Sequence, residues 1–247
     1  MDNISEETPP AAIRPLLSPT ITHLVTMVAI CVVCDNPSGT QCSQCHSVAY
    51  CSGEHQAQDW PTHKAYCKLV SAPGISTYDA ILFGVNETRP RMIKLPWSWG
   101  ADCEDLDPED RYQMLDHKLW YSGHGHFVRP LFIETFGATP KKLGHTIAVQ
   151  YDDHFTMNGS PINRCIQTIT GGEAAIRWAG NVIALRAEEM YVYRYSDAIL
   201  KKDLAPMVQF FKDYEKRRDG ANAFHVSTIS SHDIDNALPN DSQFLTG

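Results

Sequence analysis

The sequence has no apolar run of membrane-spanning length. Its most hydrophobic stretch, Ile21 to Val33, is interrupted by Thr22, His23 and Thr26, and it falls short of the ~20 residues that cross a bilayer. No membrane partner is expected. Positive charge is also scarce: 21 Lys and Arg stand against 29 Asp and Glu, a net charge of −8. Binding nucleic acid by neutralising phosphates needs the opposite balance, so no nucleic-acid partner is expected. The opening residues are acidic (Asp2, Glu6, Glu7) and not basic, which argues against a secretory leader. No internal repeat is visible. Beyond residue 67 the cysteines are Cys103 and Cys165, which lack a diagnostic partner motif and read as inert. Apolar content of 43% and charged content of 20% suit a folded chain, and 247 residues allow a small module plus one domain of ordinary size.

What is present is concentrated between Cys31 and Cys67. Cys31, Cys34, Cys42, Cys45, Cys51, His55, His63 and Cys67 follow the spacing C-x2-C-x7-C-x2-C-x5-C-x3-H-x7-H-x3-C. A closed structural zinc site takes four Cys or His ligands in a tetrahedron, so this set implies two Zn2+ ions per chain. Each C-x2-C pair can grip one ion from a tight turn. Each i, i+4 pair, Cys51/His55 and His63/Cys67, puts two ligands on one face of a helical turn. Chemistry alone forces no particular foursome. Zinc thiolates need reducing surroundings, which points to an intracellular chain, nuclear or cytoplasmic.

This spacing resembles the MYND zinc finger, whose ligands interleave in a cross-brace. The flanking residues agree: Tyr50-Cys51-Ser52-Gly53-Glu54-His55-Gln56, then Asp59-Trp60-Pro61-Thr62-His63-Lys64, then Cys67. The resemblance implies that Cys31, Cys34, Cys51 and His55 hold the first ion, and Cys42, Cys45, His63 and Cys67 the second. His55 departs from the family, which more often has Cys there. An imidazole is a sound zinc ligand, though the site should release its metal sooner in acid. The resemblance further implies protein interaction through short proline- and leucine-containing peptides, in a transcriptional or scaffolding adaptor. Ser43, Gln56 and Trp60 match its groove positions. An extended peptide would meet Ser43 and Gln56 with its backbone, and the indole of Trp60 would pack a proline or leucine. The plainer alternative makes Trp60 packing for a helix and Gln56 a solvated side chain. Pro15-Leu16-Leu17-Ser18-Pro19 fits the ligand pattern P-x-L-x-P, and Pro19 lies within ~40 Å of Cys31 at ~3.3–3.6 Å per residue. The chain's own tail is thus a candidate ligand, at high effective concentration.

The expected organisation is a mobile Pro-containing tail (1–20), the finger with its apolar lead-in (21–70), an α+β domain of unknown role (75–220) and a polar tail (221–247). Ser71-Ala72-Pro73-Gly74 supplies turn chemistry at the boundary. Two short helices, Ser52 to Ala57 and Pro61 to Tyr66, are expected in the finger, with Pro61 in a first turn. Strands are expected at Tyr78 to Val85, Arg91 to Pro96, Phe127 to Phe136, His145 to Tyr151 and Val182 to Arg186. Helices are expected at Pro108 to Trp120, at Pro161 to Ile169 capped by Ser160, and from Asp203 to Arg218. The order suggests a small two-zinc cross-brace finger followed by a mixed α+β domain. Three phrases in that domain, Asn158 to Cys165, Thr170-Gly171-Gly172 and Trp178-Ala179-Gly180, look like those of fungal MYND-finger proteins whose second domain has no assigned activity.

An enzyme in residues 75–220 is the alternative reading. His124 and His126 would share one side of a strand, but no third ligand stands at recognisable spacing. Asp153 and His154 could serve acid–base chemistry, although a solvated turn is the default. The acidic run 102–110 lacks the glycine and ligand order of an EF-hand loop. Neither the Asn-His-Ser-Cys nor the Gly-Glu-Glu-Leu type of segment of SET methyltransferases occurs, and the ligand order ends H-x3-C, unlike a RING. No catalytic residue is therefore assigned.

Overall fold

Strand β3 (Ser76–Phe83) sets the architecture. Its end, Ala80-Ile81-Leu82-Phe83, is buried at every position, so both faces of the sheet it belongs to must be covered. The computed structural model describes residues 29–38, 40–121, 127–137, 139–190 and 192–219, with side chains as far as Tyr214 in the last helix. Around β3 lie β4 (Arg91–Trp99), β5 (Gln113–Leu115), β6 (Val128–Phe136), β7 (Lys141–Asp152), β8 (Val182–Glu189) and β9 (Val192–Ser196). They form one antiparallel sheet in the order β5-β4-β3-β8-β7-β6, with β9 paired to the far half of β8.

Alternation along the strands divides two cores. Ile81 and Phe83, Ile147 and Val149, Val182 and Ala184 face helices α2 (Arg164–Thr170) and α3 (Leu200–Asp219). Ala80, Leu82, Ile93, Leu95, Ile183 and Leu185 face the opposite way, onto the finger's Val48, Tyr50, Tyr66 and Cys67. The finger itself consists of the small ladder β1 (Thr40–Gln41) and β2 (Ala49–Tyr50), followed by helix α1 (Gly53–Val70). It does not hang free. The backbone N–H of Lys94 donates to Tyr66 Oη at 2.8 Å, Tyr66 packs edge-on to Trp120 at 5.5 Å, and Thr88 donates to Asp35 at 2.8 Å.

On the helix side, Trp178 is the hub. Its ring meets Tyr151, Phe155, Phe210, Phe211 and Tyr214 at centroid distances of 5.2–6.0 Å. Asn163, fully buried, accepts the Ile166 N–H and donates to the carbonyls of Phe83 and Gly180. The segments Asn158 to Cys165, Thr170-Gly171-Gly172 and Trp178-Ala179-Gly180 meet at one structural knot: Asn163 caps α2, Gly171 ends it in the left-handed region, and Gly180 closes on Ser160. Helix α3 is anchored by Asp203. Its carboxylate accepts from Arg186, His145 and the Ile199 N–H at 2.7–3.0 Å while only 1% exposed.

The structure corrects several sequence expectations. Helix α1 is continuous through Pro61 and is not two helices. Proline inside a helix costs about 3 kcal/mol; Pro61 lies between the turns whose Cys51/His55 and His63/Cys67 side chains join the two clusters. The helix expected at Pro108 to Trp120 is a run of turns around β5, where the Gln113 side chain bonds Tyr78 Oη and the Tyr195 N–H. Asn163, not Ser160, caps α2, because Ile162 is held extended by a bridge to Ala179. Strand β9 was not expected. The 1–28 tail and lead-in, His124, His126 and residues 220–247 lie outside the described residues.

Candidate metal centre

Each C-x2-C pair sits in the same kind of knuckle. The N–H of Asp35 donates to the Cys31 carbonyl and that of His46 to the Cys42 carbonyl, both at 3.0 Å. Closing the turn puts Asp35 and His46 in the left-handed region, with φ of 59° and 54°. The second halves come from α1. Ser52 caps its first turn through the His55 N–H, which sets the direction of His55, and Tyr50 Oη donates to Asp59 at 2.6 Å to pin the helix over β2.

Two foursomes result. The ligand atoms of Cys31, Cys34, Cys51 and His55 lie within 4.8 Å of one another, as do those of Cys42, Cys45, His63 and Cys67. The first group has Cys31 Sγ to His55 Nδ1 and Cys34 Sγ to Cys51 Sγ at 3.5 Å, with Cys51 Sγ to His55 Nδ1 at 3.0 Å. In the second, Cys42 Sγ to Cys67 Sγ is 3.7 Å and Cys45 Sγ to His63 Nε2 is 3.5 Å. Tetrahedral zinc with arms of about 2.3 Å to sulfur and 2.0–2.1 Å to nitrogen has ligand-to-ligand edges of about 3.5–3.8 Å. The donor sets fit zinc, and the sulfur spacings are far from the ~2.05 Å of a disulfide. The two clusters are compatible with two zinc ions.

The electrostatics prepare one thiolate per group. Burial opposes ionisation of Cys31, but N–H groups of Cys51, Val33 and Cys34 outweigh it and draw the thiol down to about 6. Burial also opposes Cys42, while the Cys45 N–H and the His63 side chain bring it down to about 6. Two other thiols go the opposite way: Cys34 and then burial push Cys51 up to about 11, and burial and then Cys42 push Cys67 to about 12. A bound divalent ion displaces those protons, so metal affinity falls as pH falls.

The groups differ in access. All members of the second are buried, and its His63 is boxed by the rings of Tyr50, Trp60 and Tyr66 at 5.8–6.2 Å. In the first, Cys31 is buried, Cys34 and His55 are half-buried and Cys51 is exposed. Four Cys or His side chains per group would fill the tetrahedron of a zinc ion, the donor count of a structural site.

Ser43 and Gln56 are exposed, and Trp60 is 36% exposed with its ring centroid 6.0 Å from that of His63. A cleft of about 280 Å³ opens between the first knuckle and the β3–β4 turn, lined by Ile30, Val32, Asp35, Arg89 and Arg91 among others. Sequence reasoning missed it, because its two walls are distant in the chain. Asp153 is paired with Arg129 at 2.7 Å and accepts from Tyr151 Oη, and His154 stacks on Phe127, so this pair belongs to a turn. Cys103 and Cys165 are buried free thiols. Among the described residues, no other Cys/His/Asp/Glu group gathers as a metal site, and no helix is long and apolar enough to cross a membrane.

Residues 31–67 match the family model of the MYND finger. The N-terminal part is thus a MYND finger with two metal sites, a zinc-binding protein-interaction module. Among curated proteins, the chain is 43% identical over 44 residues to a Rho GTPase-activating protein, gacZ, of Dictyostelium discoideum, covering 18% of this chain and 4% of that protein. It is 44% identical over 46 residues to programmed cell death protein 2 of Bos taurus, covering 18% and 13%. It is 31% identical over 75 residues to dauer abnormal formation protein 25 of Caenorhabditis elegans, covering 30% and 19%. The chain thus spans less than a fifth of the length of each of these relatives. No solved structure matches it.

Proposed function

We propose that the MYND finger is a peptide-capturing adaptor surface, built on two zinc ions and held against the sheet of the second domain. Cys31, Cys34, Cys51 and His55 hold one ion, and Cys42, Cys45, His63 and Cys67 the other. Ser43, Gln56 and Trp60 line the groove, which takes short proline- and leucine-containing segments. The observation that carries the reading is Trp60: a large indole left 36% exposed on the surface, its ring 6.0 Å from the imidazole of His63. The chain's own Pro15–Pro19 segment is a ligand of the right composition, in competition with partner proteins. Thiolate-rich sites favour a reducing compartment, nucleus or cytoplasm. The phrases around Asn163 and Trp178 extend the likeness to fungal MYND-finger proteins, and their part is to hold the scaffold.

A peptide array of proline/leucine motifs, probed with wild type and Trp60→Ala, tests the groove. Wild type should retain a subset that the variant loses by roughly tenfold or more, as loss of an aromatic anchor does. Equal retention by both removes the groove assignment. Native mass spectrometry finding two zinc ions per chain supports the metal reading independently.

A further inference from the structure

The finger covers only part of its face of the sheet. Past Ile93 and Leu95 on β4, the same alternation puts Trp97 and Trp99 on that face, beside Tyr78 of β3. Tyr78 and Trp97 stack at 5.2 Å with planes 7° apart, and Trp99 meets Trp97 edge-on at 5.4 Å while 48% exposed. Gln113 braces the row, donating to Tyr78 Oη and accepting the Tyr195 N–H at 2.7 Å.

The rim of this row is acidic. Immediately after Trp99 and Gly100 the chain enters a loop whose Asp102, Glu104, Asp105, Asp107, Glu109 and Asp110 are all exposed. Tyr112 packs over Gly100 and donates to Asp102 at 2.7 Å, which holds the start of the loop beside Trp99. Arg194 ties the loop to β9 through the Pro108 carbonyl and is itself paired with Glu188. Arg111 donates to the Leu106 carbonyl. On the other flank, burial and then the nearby carboxylates of Asp197 and Glu188 raise the Tyr78 phenol.

We propose that this aromatic row with its acidic rim docks a cationic peptide segment, an Arg or Lys side chain lying on the Trp97–Trp99 rings and its neighbours pairing with the 102–110 loop. Ring faces attract cations, and carboxylates at the rim lengthen that attraction and steer the approach. An acidic peptide or a nucleic acid meets repulsion here. A proline segment would use the rings and leave the carboxylates without purpose.

The test titrates fluorescein-labelled deca-arginine, deca-glutamate and deca-proline into the full zinc-loaded chain and follows anisotropy. Deca-arginine should bind, and Trp99→Ala should weaken it by about 2- to 30-fold, the range of one exposed to partly desolvated cation–π contact. Trp99→Phe should retain part of the affinity, and Asp105→Asn/Asp107→Asn/Glu109→Gln should weaken binding and flatten its salt dependence. Trp60→Ala should leave it unchanged, which separates this surface from the finger's groove. Because Trp99 is half-exposed, unchanged circular dichroism is expected for its variants. Failure of deca-arginine to bind, affinity indifferent to Trp99→Ala, or deca-proline binding that Trp99→Ala abolishes would each overturn the proposal.

Discussion

Stripping zinc should proceed in two steps with different consequences. The group of Cys31, Cys34, Cys51 and His55 has an exposed thiol, whereas the group of Cys42, Cys45, His63 and Cys67 is wholly buried. A chelator therefore reaches the first ion without unfolding and the second only when the finger opens. The second step should also be felt far from the metal. Cys42, Cys45 and Cys67 share a core with Leu82, Ile93, Leu95, Ile183 and Leu185 of the sheet. Burying each such aliphatic side chain is worth about 1.5–3 kcal/mol, so uncovering the five forfeits up to ~7–15 kcal/mol, an upper figure because unfolded chains are themselves partly collapsed. That rivals the whole stability of an ordinary domain, about 5–15 kcal/mol. Loss of the buried ion should then destabilise β3, β4 and β8 along with the finger.

The assay combines a colorimetric zinc readout under excess chelator with hydrogen-exchange mass spectrometry at matched times. One equivalent of zinc should leave quickly, with exchange rising around Cys34 to His55 and little change in the sheet. The second should leave slowly and bring increased exchange in β3, β4 and β8. Release of both ions in one phase refutes the access argument. Retained protection in those strands after complete zinc loss refutes the shared-core argument.

Three further perturbations have signs fixed by the structure. Asp203→Ala removes a carboxylate only 1% exposed and strands the half-buried Arg186 guanidinium and the Ile199 N–H, and should cost about 3–5 kcal/mol in urea unfolding, as breaking a buried ion pair does. His46→Val forces a β-branched residue into a φ of 54° and should cost about 1–3 kcal/mol and weaken zinc retention, whereas His46→Gly should be neutral or better. Burial lowers His117 to about 4 from 6.5, against a smaller opposing effect of Asp116. The unfolded chain then binds the extra proton between those values, so stability falls as pH drops from 6.5 towards 4, by up to ~3 kcal/mol. His117→Leu should flatten that limb of the pH–stability curve, and an unchanged slope would remove His117 as its source.

The finger was legible because a tetrahedral ion imposes its own spacing on the ligand residues, and few other constraints produce Cys31 to Cys67. Its helix departs from the local signal at Pro61, a breaker that lies inside a continuous helix. In the second domain, β3, β4, β6 and β8 announced themselves as apolar runs. The segment 108–120 did not: a helix is expected from Pro108 after the acidic loop, and long-range bonds from Gln113 to Tyr78 and Tyr195 accompany a strand and turns instead. The cap at Asn163 has no local signature, because its side chain reaches the distant carbonyls of Phe83 and Gly180.

How the two parts pack was nonetheless written in the sequence, in a form easily overlooked. An antiparallel sheet covered on one face shows alternating apolar and polar residues, yet Ala80 to Phe83 and Val182 to Leu185 are apolar at every position. Helices α2 and α3 account for Ile81, Phe83, Val182 and Ala184. Something else had to cover Ala80, Leu82, Ile183 and Leu185, and the finger, with Val48, Tyr50 and Tyr66 to bury, was the remaining apolar surface. The alternation resumes where that cover ends: on β4, buried Leu95 gives way to Trp97, exposed Ser98 and half-exposed Trp99. Among the described residues, this end of the sheet is therefore a continuation of the surface that packs on the finger, aromatic where the finger side is aliphatic, and exposed at Trp99.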